Sequence, residues 1–212
     1  IFLNTIIKSL ARGSEENEIL IIYIPSINIL LFYITKKQMH SSHNQEVRYY
    51  IHMLNEKPIK VDLDMKVEPS WIDYNGHMNV AYYLLAFDKV IDEFNNNLGL
   101  GIEYKNDTNK STYALESHII WIKEMMLGER MNFTIQLLDH DQKRIHLFLT
   151  MLHNEKSIKV ATYEVLSMHI DLTTKKSCIF PEKIQKKIET IMNSHSNIPK
   201  PRLSGSTVGI RR

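Results

Sequence analysis

The chain has 212 residues, 43% of them hydrophobic and 24% charged, which suits one domain with a sizeable core and appendages better than two full domains. A net charge of +2, from 26 basic and 24 acidic residues, with no dense basic stretch between residues 60 and 180, gives no reason to invoke nucleic acid, and no nucleic-acid partner is expected. Cys178 is the sole cysteine, so there is no internal disulfide framework, and a reducing, cytoplasmic location is expected.

The chain opens on Ile1 with a segment unlike the rest. Ile19 to Ile34 reads ILIIYIPSINILLFYI, an apolar run broken by Pro25, Ser26 and Asn28. It falls short of the roughly 20 residues that span a bilayer. Glu15, Glu16 and Glu18 precede it and no small-residue cleavage site follows, which argues against a secretory signal. No membrane association is expected. Met39, Met53 and Met65 are candidate internal starts, and residues 1–57 are expected to be an N-terminal extension and linker outside the working domain. His40 and His43 approach a ligand-like spacing, but no cysteine or carboxylate cluster joins them, so no metal site is expected.

The working domain is expected over residues 58–193. Val61, Leu63, Met65 and Val67 alternate with Asp62, Asp64 and Lys66, the period-two pattern of a half-buried strand that Pro69 ends. A loop then leads into NVAYYLLAFDKVIDEFNNNLGLG, a helix with Asn79 as N-cap, Gly99 and Gly101 at its end, and an apolar face of Ala81, Leu84, Leu85, Val90, Ile91 and Phe94. A polar loop (KNDTNKS) separates it from strands over residues 113–123, 131–138, 144–152 and 158–170, with Met131, Phe133, Ile135 and Leu137 turned inward. His146 and His169 are expected to face solvent. Pro181 opens a short helix with Ile184, Ile188 and Ile191 on one stripe, and residues 194–212 are expected to be a disordered tail. One strand, one long helix and several antiparallel strands make an α+β pattern, in which a helix so apolar needs a sheet curled around it.

The stretch that carries chemistry is WIDYNGHMNVAYY, Trp71 to Tyr83. Asp73, Asn75 and His77 put a carboxylate, a carboxamide and an imidazole at alternate positions just before a helix N-terminus. Such a terminus offers unpaired N–H groups and a positive dipole end, suited to an oxyanion. Gly76 allows close backbone approach or a positive φ. With Asp73 as base, these are the components of acyl transfer. The same residue types also occur at any capped helix start, where Asp and Asn serve as caps and turn formers. Trp71 and Tyr74 are expected to pack rather than to line a pocket.

VEPSWIDYNGHMNVAYYLLAFD closely resembles the motif of hotdog-fold thioesterases of the 4-hydroxybenzoyl-CoA thioesterase type. Their pattern is an Asp three residues before a Gly, then the central helix with a Tyr in its first turns, here Asp73, Gly76 and Tyr83. The order Asp73, Asn75, His77 also resembles the motif of acyl-carrier-protein thioesterases. ALESHIIWIKEMMLGERM and DQKRIHLF resemble the second half of bacterial thioesterase-family domains, some of them fused to or working beside carnitine dehydrogenases. The resemblance covers about residues 60–182.

It implies a hotdog fold, an antiparallel sheet wrapped around one long central helix, and hydrolysis of an acyl-CoA to free acid and CoA. It also implies a dimeric or tetrameric assembly with the site at a subunit interface, and no cofactor, since coenzyme A belongs to the substrate. Asp73 would be base or nucleophile, Gly76 and His77 would give oxyanion N–H groups, and Asn75 and His77 would position water or carbonyl. Asn79, Tyr83, Glu116 and His118 are second-tier substrate-binding candidates, Glu116 and His118 because they share one strand face with Ile120 and Ile122. Lys123, Arg130, Lys143 and Arg144 are available to CoA phosphates but are expected to be ordinary solvated charges. The alternatives are a non-catalytic acyl-CoA-binding module and a hotdog enoyl-CoA hydratase. For the latter, Gly76 stands where a proline is expected and the histidine comes one residue early.

Overall fold

Lys57 to Ile210 are the residues described by the computed structural model, and they belong to one compact unit. The apolar run, His40 and His43 lie outside the described residues.

The alternating segment forms β1 (Ile59–Lys66), with Ile59 and Val61 buried and Lys60 and Asp62 exposed. Pro69, which lacks an N–H, opens a single 3-10 turn ending at Trp71. Helix α1 (Val80–Leu98) starts where its cap predicts: the Asn79 side-chain oxygen accepts the Ala81 N–H at 3.0 Å. Gly99, at φ 90°, ends it in the left-handed conformation that a side chain disfavours.

The buried face of α1 is the expected one only at Val90 and Phe94. Tyr83, Ala86, Phe87, Val90, Phe94 and Leu98 are buried, whereas Ala81, Leu84 and Leu85 are exposed. The run YYLLAF holds two apolar stripes, and residues 84 and 85 lie about 100° and 200° around the helix from 83. The stripe with the aromatic rings continues to Leu98 and removes more apolar area from water, so it takes the core.

The polar stretch after Gly101 is a short helix, α2 (Ile102–Thr108), where a loop was expected. None of its residues is buried. What fixes it is distant in sequence: the Tyr104 hydroxyl sits 3.0 Å from His169 Nε2.

Strands β2 (Lys110–Trp121), β3 (Arg130–His140), β4 (Arg144–His153) and β5 (Lys159–Asp171) form an antiparallel sheet with β1, in the order β1-β3-β4-β5-β2, and β6 (Lys176–Ser177) extends beside β5. Ile135, Leu149, Tyr163 and Ile119 stand in one row across the strands. That row faces α1, whose Phe87 stacks on Tyr163 at 5.3 Å and meets Phe133 edge-on at 5.9 Å. The neighbouring row of Gln136, Phe148, Glu164 and His118 lies on the opposite, outer face.

Helix α3 (Glu182–His195) buries Ile184, Ile188 and Ile191 as their spacing predicts. It closes the β3 edge beyond the reach of β1, where His195 Nδ1 accepts the Leu137 N–H at 2.9 Å. The stretch from Ser194, expected from composition to be disordered, holds the last turn of α3 and then a run of turns on the outer face. There Gln136 donates to the carbonyl of Ile198, and Glu164 accepts from the Ser204 hydroxyl at 3.1 Å and the Gly205 N–H at 2.7 Å.

His169 does not face solvent, and His146 does so only in part. His146 Nε2 lies 2.8 Å from Glu164, and His169 is fully buried, stacked on Phe180 with its Nδ1 3.1 Å from the Ile179 carbonyl. Alternation marks a face of a strand but not whether that face is covered: Phe180 covers His169, and Glu164 shields part of His146.

Candidate active site

Ile72 and Met78 pair as a one-bridge hairpin, with Asp73 N–H donating to His77 O at 3.0 Å and Asn79 N–H to Trp71 O at 2.8 Å. Its tip is a tight turn in which Gly76 N–H donates to Asp73 O at 3.0 Å, and the Asp73 carboxylate accepts the Asn75 N–H at 2.8 Å. Gly76 has φ 83°, and a Cβ there would meet nothing within 4 Å. The glycine is therefore required by backbone conformation, not by crowding.

Asp73, Asn75, Gly76 and His77 are thus brought together in a turn two to six residues ahead of the helix cap Asn79 and not on the cap itself. The Gly76 N–H is consumed within the turn, which narrows the expected oxyanion donors. The N–H groups of His77 and of Val80, the first residue of α1, have no hydrogen-bond partner among the described residues. His77 is half-buried, and its Nδ1 is sealed from solvent without a partner among the described residues. Asn75 is exposed.

Asn79 and Tyr83 act on the main chain around this hairpin. Asn79 caps α1. The Tyr83 hydroxyl accepts the Met125 N–H at 3.1 Å and donates to Lys123 O at 3.4 Å, while Met125 O accepts the Met78 N–H at 2.8 Å. The β2–β3 loop is therefore a wall standing directly on the hairpin, a role that sequence reading missed. Its signals are Gly128 in MMLGERM, with φ 80°, and the carboxylate of Glu129 that follows. Burial raises the Tyr83 phenol pKa; the Met125 bond opposes this, and the charges of Glu124, Glu129 and Asp73 add to it. Behind the hairpin, Trp71 is buried and stacked on Tyr82 at 5.3 Å. Tyr74, expected to pack, is 97% exposed at the turn tip.

Glu116 and His118 share a strand face, as expected, but it is the outer face: His118 is cross-strand from Glu164, away from α1. Within this chain they do not join the hairpin. Arg130 pairs with Asp64, and Arg144 with Asp141 at 2.6 Å. Among the described residues, no group of three His, Cys, Asp or Glu side chains is placed to hold a metal ion. No helix among them is long and apolar enough to cross a membrane.

An antiparallel sheet curled over one long helix is the hotdog fold. Residues 67–188 match the thioesterase-like superfamily. The chain is 30% identical over 144 residues to the betainyl-CoA thioesterase of Pseudomonas aeruginosa, covering 68% of this chain and 91% of that one. It belongs to the thioesterase-like superfamily. It is also 34% identical over 156 residues to the L-carnitine dehydrogenase/betainyl-CoA thioesterase of a Rhizobium species, covering 74% of this chain and 31% of that one. The chain thus spans about a third of the length of such two-activity relatives. Among solved structures, a Staphylococcus aureus protein in complex with CoA superposes with TM-score 0.68 at 29% identity, covering 74% of this chain and 98% of that one. The DHNA-CoA thioesterase of the same species shares the fold, with TM-score 0.58 at 14% identity over 66% of this chain and 97% of that one.

Proposed function

We propose that the protein hydrolyses an acyl-CoA thioester to the free acid and CoA. The observation that carries this reading is the hairpin Ile72–Met78, which sets the Asp73 carboxylate and the unpartnered N–H groups of His77 and Val80 on one short segment at the start of α1. A thioester carbonyl placed there would receive hydrogen bonds on its developing oxyanion. Asp73 would take a proton from a water as that water attacks the carbonyl carbon, the proton passing on to the departing CoA thiolate. Or it would attack the carbon itself, expelling CoA thiolate and forming a mixed anhydride that water then cleaves to the free acid, restoring the carboxylate and supplying the thiol proton. Asn75 and His77 would orient the carbonyl or water. Gly76 serves by holding the turn. No cofactor is needed beyond the CoA carried by the substrate.

A betainyl group is the acyl chain to test first, because relatives sharing 30–34% identity are named for it. The reading includes self-association as a dimer or tetramer in the cytoplasm. In support, β2 is an edge of the sheet with no strand beyond it among the described residues and has Tyr113, Leu115 and Trp121 exposed, and α1 leaves Leu84 and Leu85 exposed. Glu116 or His118 would then reach a site only across such an interface.

A second reading, acyl-CoA binding without turnover, has one observation in its favour: the Asp73 carboxylate already serves as a turn cap for the Asn75 N–H. The full-length protein assayed on acetyl-, betainyl-, medium-chain and aromatic acyl-CoA separates the two. Hydrolysis that falls about 100- to 10,000-fold in Asp73→Ala supports hydrolysis with Asp73 as its base or nucleophile. Saturable acyl-CoA binding without turnover by the folded protein would replace it with the binding module.

A further inference from the structure

The tip of the β2–β3 loop is apolar yet unpacked, with Met126 47% and Leu127 58% exposed. Such a loop takes its order from polar anchors. Glu129 is the anchor. Its Oε2 accepts the Met126 N–H at 2.9 Å, and its own N–H returns to Met126 O at 3.1 Å. Its Oε1 accepts from Lys156 Nζ, on the β4–β5 turn, at 3.0 Å and lies 3.1 Å from Nε2 of His153, the last residue of β4. His153 is buried, and its Nδ1 accepts the Lys156 N–H at 3.2 Å, so its ring proton sits on Nε2, facing Glu129. That contact is off the line of a good hydrogen bond and acts as an electrostatic one.

From Met126 the connection to the hairpin is short. Met125, its chain neighbour, is fully buried, receives the Met78 N–H on its carbonyl and gives its own N–H to Tyr83. Met78 closes the hairpin whose other arm begins at Asp73. We propose that Glu129 is a positioning residue for Asp73: its carboxylate ties the β2–β3 loop to the β4–β5 turn, and the loop holds Met78 and the hairpin in register.

The catalytic half of this inference rests on the hydrolysis reading; the mechanical half does not. The Glu129 main chain pairs with Val67 independently, through Val67 N–H to Glu129 O at 3.0 Å and Gly128 N–H to Val67 O at 2.9 Å. Removing the side chain therefore frees the loop while leaving the end of β1 paired.

The test compares wild type, Glu129→Ala and Glu129→Gln in the full-length protein by amide hydrogen exchange and steady-state kinetics. Glu129→Ala is expected to speed exchange over residues 73–79 but not over β3 to β5. It should lower kcat about 10- to 100-fold, the scale of an ångström-sized misplacement, with KM within about threefold. Glu129→Gln keeps an oxygen for the Met126 N–H and should recover most of the loss. In an Asp73→Ala background, Glu129→Ala should cost nothing further, because it acts through Asp73. Unchanged exchange at the hairpin overturns the proposal. So does faster exchange with undiminished kcat, or a further loss in the Asp73→Ala background. A wild type with no turnover overturns the hydrolysis reading and with it the catalytic half, while exchange still decides whether Glu129 holds the hairpin.

Discussion

At Gly76 the sequence pointed to two uses for a glycine, close substrate approach or a positive φ, and the structure realises the second, at 83°. Nothing lies within 4 Å of where a Cβ would stand, so a substitution meets only backbone strain. Gly76→Ala is expected to cost about 1–2 kcal/mol by urea unfolding, and Gly76→Asn less, because Asn tolerates the left-handed region better than other side chains. Equal losses for both would mean that something other than φ selects glycine here. The residue pattern Asp73, Asn75, Gly76, His77 was legible because turn chemistry is local. Which N–H groups stay free was not, since that depends on the Ile72–Met78 bridge and on Met125 from another loop. The anchoring role of Glu129 was not legible for the same reason: in the sequence it is one carboxylate after an apolar loop tip, and its partners His153 and Lys156 arrive from the end of β4 and the turn beyond it.

Elements were legible where periodicity was unambiguous. The strands and α3 follow from alternation and from the Ile184, Ile188, Ile191 stripe, and α1 was located correctly between Asn79 and Gly99. Its orientation was not, because Leu84 and Leu85 compete with Tyr83 and Phe87 for the buried side. Phe87→Ala tests which stripe bears the load. Phe87 is fully buried between Phe133 and Tyr163, so truncation should cost about 3–5 kcal/mol, whereas Leu84→Ala, at 45% exposure, should cost under about 1 kcal/mol in the isolated subunit. A large effect at Leu84 that grows with protein concentration would locate it in a subunit interface instead. Helix α2 escaped sequence reading altogether: with no buried residue it has no stripe, and its tether is Tyr104 on His169.

For the molecule as a whole, three groups that anchor loops and edges to the sheet give stability a definite pH dependence. Burial lowers the His195 pKa to about 4, and the Leu137 N–H that its Nδ1 accepts is a bond only the neutral ring can make. His169 is lowered in the same way by burial, against the opposing effect of the Cys178 and Ile179 carbonyls. A histidine that stays neutral in the folded state while its unfolded form takes a proton near 6.5 gives stability that is present above pH 6.5. That stability is lost as pH falls toward the folded pKa, for His195 by up to about 3 kcal/mol. Glu129 acts lower on the scale. Burial opposes its ionisation, but the Met126 N–H, Lys156 and His153 outweigh burial and bring its pKa to about 2, so its contribution is present above about 4.5 and lost below that. Unfolding free energy at fixed protein concentration should therefore fall in two windows, 6.5 to 4 and then below 4.5. The discriminating variant is His195→Gln, whose amide oxygen can still accept the Leu137 N–H but cannot take up a proton in this range. Its stability should be flatter than wild type between pH 6.5 and 4 and parallel to it below 4. A variant that loses stability as steeply as wild type across the upper window would show that His195 is not the group being titrated, leaving His169 to carry that window alone.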